Sequence, residues 1–237
     1  MKTIGLIGGM SWESSIEYYR IINETVREKM GGLHSARCVM VSVDFAEIET
    51  LQHAGRWDAL TDRMVMAARQ VQAGGGDFVV LCTNTMHKMA GDMQAGIDIP
   101  LLHIADATAA RIKAGGIRTI GLLGTRFTME EDFYKGRLVQ KHGLTVLIPD
   151  EAERADVHRI IYDELVVGAI RPESKARYIE IMQHLAARGA EGIILGCTEI
   201  GLLVGQADST VPVFDTTLIH AQVAVEYALG EFEIDKE

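Results

Sequence analysis

One stretch of this chain occurs twice. Lys2-Thr3-Ile4-Gly5-Leu6-Ile7-Gly8 returns 116 residues later as Arg118-Thr119-Ile120-Gly121-Leu122-Leu123-Gly124. A second block keeps the same order. Gln72-Ala73-Gly74, then Phe78-Val79-Val80-Leu81-Cys82-Thr83, matches Ala187-Arg188-Gly189, then Ile193-Ile194-Leu195-Gly196-Cys197-Thr198, with the two Cys-Thr pairs laid over one another at an offset of 115. Ile99-Pro100-Leu101-Leu102 is echoed by Val211-Pro212-Val213-Phe214. Three blocks in register mean two similar halves, and a repeat of this kind constrains the fold before any local propensity does.

Each repeated block holds a short apolar run bounded by Gly or Asp, the signature of a buried parallel strand. Such runs lie at 3–7, 38–43, 78–81, 119–123, 145–148 and 192–195, with shorter ones after prolines at 101–103 and 213–214. Helix-period segments alternate with them. The clearest is 57–72, with Leu60, Met64, Ala67, Ala68 and Val71 on one face and a glycine stop behind it. Another is 173–187, opening after Pro172. Met64, Met66, Met86, Met89 and Met93 are read as core packing. Strands alternating with helices give an α/β fold built on parallel sheets. The expected domains are 1–98 plus 210–237, and 99–209.

Charge and cysteine content narrow the function. There are 23 Lys and Arg against 33 Asp and Glu, a formal net charge of −10. An acidic chain is a poor general ligand for nucleic acid or anionic lipid. No apolar run approaches the roughly 18 residues of a membrane span. Three cysteines without an export signal point to the cytoplasm and free thiols. No Cys-x-x-Cys or His-Glu-x-x-His spacing calls for a metal. Gly5-x-x-Gly8-Gly9 lacks the full dinucleotide fingerprint, and nothing around Lys88 marks a Schiff-base site.

In an open α/β sheet, ligands bind beyond the carboxyl ends of the strands. Cys82 and Cys197 are expected there, each before a helix and each followed by a threonine. A single cysteine at a strand end is ordinarily a small buried hydrophobe, which is the reading for Cys38. Two in matched positions suit inversion of a stereocentre: one thiolate removes an α-proton, and the opposite thiol returns a proton to the other face. Helices beginning near 84–85 and 198–199 would lower the thiol pKa values. Their N–H groups would hold an α-carboxylate. Loops after the first strand of each half bring Met10, Ser11 and Thr125 to the same cleft.

Leu81-Cys82-Thr83-Asn84-Thr85-Met86-His87-Lys88 and Gly196-Cys197-Thr198-Glu199-Ile200-Gly201 resemble the aspartate/glutamate racemase family. Gly5-Leu6-Ile7-Gly8-Gly9-Met10-Ser11-Trp12-Glu13-Ser14 and Val213-Phe214-Asp215-Thr216 fit the same resemblance, which spans nearly the whole chain. The chain is most similar to the bacterial amino-acid racemase branch of broad substrate tolerance. The resemblance implies two Rossmann-like domains related by a pseudo-two-fold axis with the active site between them, and a homodimer. It also implies catalysis without pyridoxal phosphate or metal. Carried over by position, Cys82 and Cys197 match the acid–bases, and Asn84, Thr85, Thr125 and Thr198 match α-carboxylate contacts. Met10, Gln52, Thr83 and Glu199 join them as substrate-binding residues. The chain departs from aspartate-specific members, which carry an Arg after the second strand and a Lys one turn after a Tyr. Those regions here read Val43-Asp44-Phe45-Ala46-Glu47-Ile48 and Tyr162-Asp163-Glu164-Leu165-Val166. Glutamate racemases have Asp and His where Met10 and Glu199 stand. Competing expectations are a hydantoin racemase or maleate isomerase type of enzyme, and a non-catalytic ligand-binding protein.

Overall fold

A computed structural model describes residues 1–234. All eight expected strands form, with ends displaced by at most one residue. β1 (Ile4–Gly8), β2 (Cys38–Ser42), β3 (Phe78–Leu81) and β4 (Leu101–Leu102) make one sheet in the order β2-β1-β3-β4. β5 (Thr119–Gly124), β6 (Thr145–Leu147), β7 (Ile193–Gly196) and β8 (Val213–Asp215) make another in the order β6-β5-β7-β8. Every pairing is parallel. In each sheet the chain steps from the first strand to one side and then to the other. That reversal places the ligand-binding end at the carboxyl termini of β1 and β3 in one sheet, and of β5 and β7 in the other.

The chain divides into two compact units, one of residues Met1–His103 with the chain from His220 onward, the other Ile104–Ile219. The borders therefore differ from those expected at 98/99 and 209/210. β4 pairs with β3 and β8 pairs with β7, so each proline-led strand closes the sheet of its own half. The crossover comes after that strand. The helix Ile104–Ala114 follows β4 but is counted with the second unit, and the helix Thr216–Leu229 passes into the first at His220.

The two cores are built alike. In the first unit, Leu60, Met64, Ala67, Ala68 and Val71 of the helix Trp57–Ala73 bury their apolar stripe with Ile7, Val79 and Leu81. In the second, Tyr178, Ile181, Met182 and Leu185 of the helix Pro172–Ala187 do so with Ile120, Leu122 and Ile193. Pro172 is the first helical residue rather than the residue before it, where its missing N–H costs nothing. Met66 departs from the methionine core and is exposed.

The repeated glycines have a packing reason. A Cβ on Gly5 would collide with Val71 Cγ1 and lie 2.7 Å from Phe78 O. A Cβ on Gly121 would lie 2.7 Å from Ile193 Cδ1 and 3.1 Å from Leu185 Cδ1. Helix and sheet approach too closely at both points for any side chain. Gly5→Ala and Gly121→Ala are each expected to destabilise the protein by about 1–3 kcal/mol, seen as a lower urea midpoint at unchanged slope.

Candidate active site

The carboxyl end of the first sheet carries two turns. After β1, Gly9 turns the chain with φ +93°, and its Cβ would strike the Val43 carbonyl. Ser11 then caps the helix Trp12–Met30, its Oγ accepting from Ser14 N, while Gly9 N donates to Ser15 Oγ at 2.8 Å. After β3 come Cys82, Thr83, Asn84 and a 3₁₀ turn, Thr85–Met89, before the short helix Ala90–Ala95. Met10 is buried in the apolar core with Ile7, Ile48 and Met86. Gln52 is buried near the end of the helix Phe45–His53.

The second sheet repeats the plan. Thr125 caps the helix Arg126–Glu130, its Oγ1 accepting from Thr128 N at 3.3 Å. β7 is followed by Cys197, Thr198, Glu199 and the 3₁₀ turn Ile200–Leu202. The Cys197 Sγ donates to Glu199 Oε2 at 3.0 Å, and Thr198 Oγ1 donates to the same oxygen at 2.9 Å. Thr216 Oγ1 donates to Leu195 O at 2.7 Å and Thr217 Oγ1 to Thr198 O at 3.5 Å, tying the turn to the next helix.

Both thiols are held up, not down. Burial pushes the Cys82 thiol well above its usual range, with Cys38 nearby adding to the effect. Burial also raises Cys197, and the Glu199 carboxylate raises it further. Helical chain begins near both expected points, but as 3₁₀ structure, Thr85–Met89 running into the short helix Ala90–Ala95 and the single turn Ile200–Leu202, so no long aligned helix dipole stabilises a thiolate. Gly201 lies so close to Asp215 that a side chain there would collide with its carboxylate.

Strand register shows which residues share a position. Ile7 pairs with Leu81 across β1 and β3, and Leu123 pairs with Leu195 across β5 and β7. Ile7 and Leu123 are equivalent in the repeated block. Leu81 therefore corresponds to Leu195 within the strands. The starts of the same strands agree. Asp77 N donates to Thr3 O and Glu191 N to Thr119 O, while their carboxylates accept from Thr3 N and Thr119 N. The preceding helices stop at matched left-handed glycines, Gly75 (φ +89°) and Gly189 (φ +99°). β3 ends at Leu81 and β7 one position further in register, at Gly196, so Cys82 and Cys197 are each the first residue past their strand, and each stands three residues before a 3₁₀ turn, at Thr85 and at Ile200. Cys82 is fully buried with its Sγ on Val80 O at 3.7 Å, whereas Thr83 and Cys197 are 8% and 9% exposed.

A model of the Asp/Glu/Hydantoin racemase family matches residues 7–224. The chain belongs to the Asp/Glu/hydantoin racemase family. It is 24% identical over 181 residues to the broad specificity amino-acid racemase RacX of Bacillus subtilis (strain 168), covering 73% of this chain and 74% of that protein. A crystal structure of a candidate Asp/Glu racemase from Yersinia pestis is 55% identical, with a TM-score of 0.90 over 97% of this chain and 100% of that one. An aspartate racemase homologue from Pyrococcus horikoshii OT3 is 34% identical, with a TM-score of 0.83 and the same coverage.

Set among racemases, the predicted contacts fall into two groups. Met10, Gln52, Thr83, Asn84 and Thr85 belong to the first unit, and Thr125, Thr198 and Glu199 to the second. All are less than a tenth exposed. The Thr125 hydroxyl oxygen accepts in its helix cap, and the Thr198 hydroxyl donates to Glu199. Lys88 lies with its ammonium 3.9 Å from the Trp57 ring centroid, a cation–π contact. Among the described residues no group of three or more His, Cys, Asp and Glu side chains could hold a metal ion, and no helix is long and apolar enough to cross a membrane.

Sequence reasoning missed a buried polar network beneath the β3 turn. His87 Nδ1–H donates to Thr83 O at 2.7 Å. The ring of His87 stands 4.6 Å from His103 and 5.9 Å from His220. His220 Nε2–H donates to Leu102 O at 2.9 Å, which leaves its Nδ1 to accept from the Tyr18 hydroxyl at 2.9 Å. Burial and the His87 ring lower the His220 pKa to about 3. The only sequence sign was a tyrosine at an apolar helix position and two histidines in otherwise apolar surroundings.

Proposed function

We propose that this member of the family is an amino-acid racemase working without pyridoxal phosphate, with Cys82 and Cys197 as its two acid–bases. The observation that carries it is the pair of Cys-Thr steps immediately past β3 and β7, in a chain matching the racemase family along most of its length. Inversion requires one group to take the α-proton and another to return a proton to the opposite face. Cys82 serves one face and Cys197 the other. Asn84, Thr85 and the N–H groups near Thr125 and Thr198 hold the α-carboxylate, whose electron sink stabilises charge developing at Cα. The likeness to RacX favours a broad range of side chains. The same reading takes the protein as a cytoplasmic homodimer, and sedimentation equilibrium checks the assembly.

The test is isotopic. A panel of L- and D-amino acids in heavy water is expected to show α-deuterium incorporation together with the opposite enantiomer. A hydantoin and maleate run alongside separate the related isomerases. Binding without exchange of any substrate would leave only a ligand-binding protein.

A further inference from the structure

Glu199 was expected on the substrate, yet its Oε2 is occupied by two donors, the Cys197 thiol and the Thr198 hydroxyl. Glu199 is 2% exposed and Cys197 9%, so this contact is shielded from water. A carboxylate in a dry site is costly unless it accepts hydrogen bonds, and here the thiol supplies one of them. We propose that Glu199 is a positioning residue that holds Cys197 as the protonated thiol and strengthens it as a base once the proton has left. Its catalytic consequence rests on the racemase reading, but the thiol–carboxylate pair does not.

The proton balance is simple. When Cys197 acts as donor, its S–H bond breaks as the new Cα–H bond forms, leaving a thiolate beside a carboxylate. That pair of like charges is unfavourable, so the thiolate readily takes the α-proton of the next substrate arriving in the opposite configuration. An α-proton is a very weak acid, and a more basic thiolate meets it better. Other groups around the thiol do not explain the arrangement. The buried Tyr178 phenol comes from the helix Pro172–Ala187, and Glu164 beyond it accepts from Ser174 Oγ and from Arg159. Asp215 accepts from Thr217 N and Leu218 N, and Thr216 and Thr217 are uncharged. Glu199 alone among these accepts a hydrogen bond from the sulfur.

The readout is alkylation of Cys197 by iodoacetamide at pH 8, followed peptide by peptide by mass spectrometry without substrate. Reaction goes through the thiolate. Each unit by which the thiol pKa falls gives tenfold more thiolate, offset by about threefold lower nucleophilicity. Glu199→Gln is therefore expected to speed modification of Cys197 by about threefold or more, while Glu199→Asp, which keeps the charge, stays within about twofold of the parent. Should Glu199→Gln fail to fold, Glu199→Ala carries the same expectation. In turnover, Glu199→Gln is expected to lower kcat about tenfold with KM nearly unchanged. A folded neutral variant whose Cys197 reacts no faster than the parent overturns the proposal, as does a rise in KM at constant kcat. If alkylation shifts as expected but no amino acid exchanges its α-proton, the pair stands and the racemase reading fails.

Discussion

Replacing Cys82 by alanine is expected to lower kcat/KM for the best amino acid by a hundredfold or more, with Thr83→Val costing less. General acid–base groups contribute about 10²–10⁴-fold, and alanine removes the thiol proton that such a group must exchange. The reason lies just past the strands. β3 ends at Leu81 and β7 at Gly196, so Cys82 and Cys197 are each the first residue beyond, and each stands three residues before a 3₁₀ turn. Thr83 is a binding residue in this reading, and its loss leaves both thiols in place. Cys197→Ser is expected to cost a comparable factor, because oxygen in place of sulfur both weakens the acid and shortens its reach. A Cys82→Ala protein that is folded and keeps its activity, beside an inactive Thr83→Val, would sink the two-thiol site. The Glu199 carboxylate on Cys197 makes the two thiols unlike, so the two half-reactions are expected to be unequal in rate. Deuterium washed into L- and D-substrate before net conversion measures that inequality.

Much of this architecture can be read from the letters, for identifiable reasons. Buried parallel strands have to be apolar without interruption, so β1, β3, β5 and β7 announce themselves. Gly5 and Gly121 recur because Val71 and Ile193 leave no space for a Cβ. Other features depend on contacts that sequence spacing does not encode. The Cys-Thr pairs match in letters, but that β3 ends one position earlier in register than β7, at Leu81 against Gly196, is set by strand pairing and not by spacing. The turns after Cys82 and Cys197 look like helix starts, with Asn84 and Thr198 in place to cap. They close as 3₁₀ turns, and neither Asn84 nor Glu199 makes a side-chain cap bond. The hydrogen bond from Tyr18 to His220 joins residues 202 apart in the chain, beyond any local pattern.

That same bond leads to a large effect of acid. Unfolded, His220 has the ordinary pKa of about 6.5. Folded, it is lowered to about 3, because burial and the neighbouring His87 ring oppose the charge. Between those values the unfolded chain carries a proton that the folded chain refuses. The contribution of His220 is therefore complete above about pH 6.5, falls as the pH drops through the window, and levels off below about 3. The slope in mid-window approaches about 1.4 kcal/mol per pH unit, and the whole window is worth several kcal/mol. His220→Gln tests this cleanly. A glutamine amide can donate to Leu102 O and accept from Tyr18 without titrating. The variant is expected to match the parent's pattern of buried partners but to lose stability less steeply between pH 6 and 4 in urea melts. Parallel curves for the two proteins would show that His220 is not the group responsible. Because His87 donates to Thr83 O and packs against both His103 and His220, a proton forced into this network strains the turn that carries Thr83. Activity in the parent is then expected to decline over the same acid window as stability, and to persist to lower pH in His220→Gln.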